Sequence, residues 1–177
     1  MPDLSEVKNY YAERQKTVNI SARKLMLIDK VRRWVQGGKV LDYGCGDGFI
    51  TSCLSRFCTI SGCDINSDIA LGHFPGIDFF GMEKIGGRYD AILMLDVIEH
   101  LEPAEAAETF LRLSENTSSF IFNIPEIRQQ EQIVERDVSV TGLLYNMEVM
   151  GFKLIFFERW SVSKDERYNF MVLKCQK

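Results

Sequence analysis

The stretch that most constrains this chain is Lys39-Val40-Leu41-Asp42-Tyr43-Gly44-Cys45-Gly46-Asp47-Gly48. A short apolar run reaches a turn built on alternating glycines. Phe49-Ile50-Thr51-Ser52-Cys53-Leu54 follows and can start a helix. Strand, glycine turn and helix together make a ligand-binding corner. Glycine accepts positive φ and lets a ligand approach bare backbone. The first turn of the helix offers unpaired N–H groups. Asp42 is the odd residue, because a carboxylate at the end of a buried strand is costly unless paired. Turn N–H groups or a cationic ligand group are its candidate partners.

Spacing separates two nucleotide readings. A dinucleotide fingerprint requires G-x-G-x-x-G after the strand. Here the glycines fall at 44, 46 and 48 and position 49 is Phe, so the third glycine of that fingerprint is missing. The match is to D-x-G-x-G-x-G instead. The plain alternative is a tight strand-to-helix turn with no ligand. The stretch resembles the first motif of class I S-adenosylmethionine-dependent methyltransferases. That resemblance implies S-adenosyl-L-methionine as cofactor, with Asp42, Gly44, Cys45, Gly46 and Gly48 forming its loop.

Around this corner the chain alternates. Residues 4–16 read as a polar, partly amphipathic helix carrying Tyr10 and Tyr11. Leu25, Ile28, Val31 and Val35 give a second helical pattern, and Gly37-Gly38 ends it. Strands are expected at 39–43, 59–64, 77–80, 89–95, 119–123, 152–157 and 170–173, and helices at 48–56, 67–71, 103–114 and 141–150, with a charged connection at 125–138. Strands alternating with helices predict an α/β fold with a mostly parallel sheet covered on both faces. The last two strands can pair as a hairpin, which makes one edge strand antiparallel. From about residue 25 onward the pattern is similar to the seven-stranded, Rossmann-like methyltransferase sheet. The expectation is one domain, 1–177, with 1–36 as an N-terminal helical cap or lid. Ligands of such sheets bind outside the carboxyl ends of the strands.

Asp64 closes the second strand, twenty residues after Gly44. A carboxylate there can accept from both ribose hydroxyls of a nucleotide; the alternative is a solvated turn or helix-start carboxylate. The resemblance assigns Asp64 the ribose, and Ile65 is placed to pack on adenine. The family commonly has an acidic side chain after the third strand, near the adenine amine. This chain reads Phe80-Gly81-Met82-Glu83. Met82 takes the acidic position and Glu83 follows, so backbone groups of 81–83 are the substitute contact.

The fourth strand runs into Leu95-Asp96-Val97-Ile98-Glu99-His100-Leu101. This is similar to the D-V-I-E-H-L segment of the small ubiquinone-biosynthesis-type O-methyltransferases. The resemblance implies that Asp96, by side chain or carbonyl, faces the methionyl amine, and it puts His100 at the pocket mouth. Histidine, with an unperturbed pKa of ~6.5, suits general-base work on an acceptor hydroxyl. A histidine that merely holds the turn is the alternative. Asp96, Glu99 and His100 also have metal-ligand spacing, but His73 is the only other histidine and lies elsewhere in the sequence, so no metal is expected. Asn123-Ile124-Pro125-Glu126 reads as a loop entry. Tyr10, Tyr11 and Arg23 are minor candidates for closing over the cofactor.

Composition excludes several classes. The net charge of −4 gives no global basic footprint for nucleic acid. No apolar run approaches the ~20 residues of a membrane span, and Met1-Pro2-Asp3-Leu4 lacks a signal-peptide pattern. The cysteines number five, with no C-x-x-C pair, which points to a reducing, cytoplasmic compartment rather than a disulfide or zinc framework. The expected function is S-adenosylmethionine-dependent methylation of a small-molecule acceptor, most simply on oxygen, with no nucleic-acid or membrane partner. An RNA or protein methyltransferase, or a module that binds the cofactor without turnover, is the alternative. Acceptor identity and oligomeric state are not written in the sequence.

Overall fold

The computed structural model describes residues 4–126 and 138–176. The expected charged connection therefore falls, from 127 to 137, outside the described residues. The chain divides into two compact units, Met1–Gly86 and Gly87–Lys177.

The first unit opens with helix α1 (Leu4–Gln15) and helix α2 (Ala22–Val35). Ser21 caps α2 by accepting from the Lys24 amide, which satisfies one of the free N–H groups of the first turn. Leu27, Ile28, Val31 and Val35 form the buried face of α2. Leu25, expected on that face, is 52% exposed. It lies about 200° around the helix from Leu27, which takes its place one turn before Val31. Then come β1 (Lys39–Tyr43), α3 (Phe49–Leu54), β2 (Thr59–Cys63), α4 (Ser67–His73), β3 (Asp78–Phe80) and a 3₁₀ turn, Met82–Lys84. β1 pairs with β2 and β2 with β3, all parallel.

The second unit holds β4 (Ala91–Leu95), a 3₁₀ turn (Ile98–His100), α5 (Pro103–Ser114), β5 (Ser119–Pro125), α6 (Val140–Val149), β6 (Phe152–Ser161) and β7 (Arg167–Cys175). Pro103 starts α5, where its missing N–H costs nothing. Every residue of β4 is buried, as a strand covered on both faces requires. Phe110 of α5 meets Phe120 and Phe122 of β5 edge-on, and Phe152 of β6 packs on Phe120. Such aromatic pairs add to the apolar area they remove from water.

The sheet has seven strands in the order β3-β2-β1-β4-β5-β7-β6. β4 and β5 are parallel; β7 is antiparallel to both β5 and β6. The closing hairpin is thus folded back, with the last strand inserted beside β5 and β6 left at the edge. Two differences from expectation concern the closing strands of the sheet. Asn123–Pro125 is not a loop entry but the end of β5, paired with Tyr168–Phe170. The turn of the last hairpin is shorter than the polar stretch suggested, because Glu158–Ser161 pairs with Arg167–Phe170. Polar residues continue both strands where one face meets solvent.

Candidate active site

Gly44, Gly46 and Gly48 all have positive φ, of 75°, 58° and 77°, a region that costs an L side chain ~1–2 kcal/mol. The amides of Gly44 and Cys45 both donate to Cys63 O, at 2.8 and 3.1 Å, so the loop is tied to the end of β2. Cys45 is buried in an apolar cluster with Ala70 and Phe79. Burial is the main cause that pushes its thiol pKa up, and the Asp42 and Asp64 carboxylates add to it. A Cβ on Gly46 would find nothing nearer than Gln15 Nε2 at 3.7 Å. Gly46 therefore leaves open space beside the loop backbone.

Three buried carboxylates organise this corner. Asp64 Oδ2 accepts from the Gly46 amide at 3.0 Å and Oδ1 from the Asn66 amide at 2.9 Å. Burial raises the Asp64 pKa, opposed by those amides and by a hydrogen bond from the Gln15 side chain. Asp42 Oδ2 accepts from Thr51 Oγ1 at 2.6 Å. The partner of Asp42 is thus a hydroxyl of α3 rather than a turn amide. Burial pushes the Asp42 carboxyl up to about 6, with the Thr51 hydroxyl pulling the other way.

Asp47 is the third carboxylate, and sequence reasoning missed it. Its oxygens accept from Lys24 Nζ at 2.7 and 2.9 Å, from the Asn19 amide at 2.8 Å and from the Phe49 amide at 3.1 Å. The glycine loop is thereby pinned to the start of α2. A charged residue between two positive-φ glycines was the available signal.

α1 reaches the same corner. Asn66 Nδ2 donates to Lys8 O at 3.2 Å, and His73 Nε2 lies 3.0 Å from Gln15 O. Gln15 Oε1 is buried without a hydrogen-bond partner. Tyr10, a minor candidate, accepts from Arg14 and packs edge-on against Tyr11. Ile65 and Met82 are half-buried and Glu83 is exposed. The Glu83 carboxylate folds back over Gly81, in the space a Cβ would need.

In the second unit, Asp96 has φ 58° and is the one non-glycine with positive φ among the described residues. Its amide donates to Asn123 O at 2.9 Å, and its Oδ1 accepts from Asn123 Nδ2 at 2.6 Å. Asn123 Oδ1 in turn accepts from Trp160 Nε1 at 3.0 Å. Glu99 is buried and His100 half-buried, with His100 Nε2 4.0 Å from Glu99 Oε1. Among the described residues no three His, Cys, Asp or Glu side chains converge as a metal cluster. Ile98, Leu101, Pro103, Phe110 and Leu143 line an apolar groove of about 460 Å³ between α5 and α6.

The chain that builds this mostly parallel sheet and its carboxylate-lined glycine turn matches a known family model, described as a methyltransferase domain, over residues 11–170. The chain belongs to that family. Membership makes it an enzyme, a methyltransferase using S-adenosylmethionine. The ubiquinone biosynthesis O-methyltransferase of Agrobacterium fabrum (strain C58 / ATCC 33970) is 23% identical over 81% of this chain and 74% of its own length. Two crystal structures share the fold. Magnesium protoporphyrin IX methyltransferase from Synechocystis PCC 6803, with bound S-adenosylhomocysteine, has a TM-score of 0.78 at 16% identity, covering 98% of this chain and 100% of that one. The 1,6-didemethyltoxoflavin-N1-methyltransferase of Burkholderia thailandensis has 0.69 at 16% identity, covering 87% and 76%. Among the described residues no helix of this methyltransferase is long and apolar enough to cross a membrane.

Proposed function

We propose that this methyltransferase is a single catalytic domain, capped by residues 1–36, that methylates a small-molecule acceptor on oxygen. Asp64 carries the reading: a buried carboxylate at the head of β2, with one oxygen on the Gly46 amide and the other on the Asn66 amide. The residues present fit a nucleoside cofactor. Beyond those two amides, the Asp64 carboxylate sites that the Gln15 side chain and the Ile65 amide occupy are the ones ribose hydroxyls would take over, and Gly46 leaves open space beside the loop backbone. Gly44, Cys45 and Gly48 shape the loop, Asp42 braces it through Thr51, Ile65 and Met82 flank the adenine, and backbone at Glu83 meets its edge. Asp96 takes the methionyl ammonium. Bound there, S-adenosylmethionine supplies an already activated methyl group. The protein's remaining work is to align the acceptor and remove its proton.

His100 is the base of this proposal. It takes the acceptor hydroxyl's proton on an imidazole nitrogen as the methyl group transfers. The small-molecule acceptor is supported by the substrates that name the two structural relatives, a magnesium protoporphyrin and a toxoflavin precursor. Oxygen as the site is supported by the distant ubiquinone-pathway relative. Five free cysteines support a cytoplasmic setting. The experiment is a screen of hydroxylated metabolites with radiolabelled S-adenosylmethionine, followed by His100→Ala on the acceptor found. The variant should bind S-adenosylhomocysteine normally while turnover falls by ~10²–10⁴. Unchanged turnover rejects the base, and product methylated on nitrogen rejects the oxygen acceptor.

A further inference from the structure

Asn123 is fully buried in the middle of a sheet, where an apolar residue would serve packing better. Its amide is held at both ends. The Trp160 indole can only donate a hydrogen bond, so the Asn123 atom facing it is Oδ1. That fixes the flip of the amide and turns Nδ2, the donor, onto Asp96 Oδ1. The main chain repeats the link, since Asp96 N–H donates to Asn123 O. Trp160 is itself immobilised. It is buried on edge strand β6 and stacks on Tyr168, with ring centroids 4.9 Å apart and planes 29° apart. The chain of bonds runs β6, β5, end of β4, and it ends on the carboxylate of the one described non-glycine residue with a left-handed backbone. Such a conformation persists only where surrounding structure over-determines it.

We propose that Asn123 and Trp160 are positioning residues that set the direction of the Asp96 carboxylate, and so the enzyme's grip on the ammonium of the cofactor's amino-acid end. This rests on the proposed role of Asp96. Both residues are buried and act through Asp96. A fixed donor on Oδ1 sets the plane of the carboxylate, and a rigid carboxylate loses less freedom on binding a cation than a mobile one.

The test compares two ligands by calorimetry. S-adenosylhomocysteine carries the ammonium; 5′-methylthioadenosine lacks the whole amino-acid end. Asp96→Asn should weaken the first by roughly tenfold or more and leave the second within about twofold. Trp160→Phe keeps an aromatic ring for stacking and deletes the N–H. It should weaken S-adenosylhomocysteine by about fivefold to tenfold, the scale of one net hydrogen bond, with 5′-methylthioadenosine unchanged. Asn123→Ala should behave the same way and is read only if it folds; Trp160→Phe carries the test otherwise. Equal weakening of both ligands in Trp160→Phe marks a general packing role and overturns the inference. So does no weakening of either. If Asp96→Asn discriminates and Trp160→Phe does not, the positioning claim alone falls. If Asp96→Asn fails to discriminate, the ammonium role of Asp96 falls and takes this inference with it.

Discussion

Asp64 and Asp42 stand at the ends of neighbouring strands, and burial raises the pKa of both, but different hydrogen bonds oppose it. Asp64 is bonded by backbone amides that favour its ionised form. Its replacement in Asp64→Ala should weaken S-adenosylhomocysteine by ~1.5–3 kcal/mol, the scale of hydrogen bonds to a charged group. That is roughly a tenfold to hundredfold loss in calorimetry. Asp42 has a hydroxyl on one oxygen and burial on every side, which pushes its carboxyl from the ordinary 3.8 up to about 6. A folded-state pKa above the unfolded one means stability is fullest below the unfolded value. Stability then falls as pH rises from about 4 to about 6 and stays lowered above that. The full loss is about 3 kcal/mol. Asp42→Asn keeps a side-chain oxygen for Thr51 and removes the titration. Its urea stability relative to wild type should therefore climb between pH 4 and pH 6 and level off above. A difference that stays flat across that range would reject burial as the controlling influence. Both carboxylates were legible in the sequence, because an acidic residue ending an apolar strand demands a partner. Gln15 and Asn123 were not. An amide at a helix end or in a strand carries no local pattern, and its importance arises only from what distant segments bring to it.

At the scale of elements, the glycine loop makes a prediction that distinguishes two of its members. Gly46 and Gly48 share positive φ, yet only Gly48 is crowded: a Cβ there would lie 2.8 Å from Phe79 Cζ and 3.0 Å from Ala70 Cβ. Gly48→Ala should lose more stability in urea than Gly46→Ala, whose backbone strain alone costs ~1–2 kcal/mol. Gly46→Ala should instead show the larger loss of cofactor affinity per unit of stability lost, since its methyl meets nothing nearer than Gln15 and would stand where the proposed cofactor approaches the loop. Equal ratios in both variants would mean the loop does not cradle the ligand. The spacing of these glycines made the loop legible before any coordinates. Most strands and helices were legible too, from alternation. The end of β5 was not, because Asn123-Ile124-Pro125 looks like a turn by composition. Its pairing with Tyr168–Phe170 is a long-range event that local propensity does not encode.

For the whole molecule, the expected α/β architecture with one antiparallel hairpin is present, while the insertion of β7 between β5 and β6 was beyond reach. A hairpin sequence says that two strands pair; it does not say which of them faces the rest of the sheet. The five thiols offer a global reading of the fold. Cys45 and Cys63 are buried, and Cys53, Cys58 and Cys175 are half-buried. Burial raises the pKa of Cys53, pushes Cys58 up to about 11 and pushes Cys45 higher still. The thiolate is the reactive form, so iodoacetamide should label Cys45 and Cys63 only as urea unfolds the chain. Peptide mass spectrometry would follow this. Labelling of Cys45 in native buffer as fast as Cys175 would contradict the packing of the glycine loop against Phe79.

The hydrogen bond from Gln15 to Asp64 turns cofactor arrival into a contest. With Asp64 in its proposed ribose role, ribose hydroxyls and the Gln15 amide are rivals for one carboxylate, and the end of α1 lets go before the nucleoside settles. Capture then has a speed limit that no concentration of ligand overcomes, because release of the helix end precedes it. In stopped-flow mixing the observed rate should bend to a plateau as S-adenosylhomocysteine increases. Gln15→Ala, with no amide to surrender, should restore a straight line.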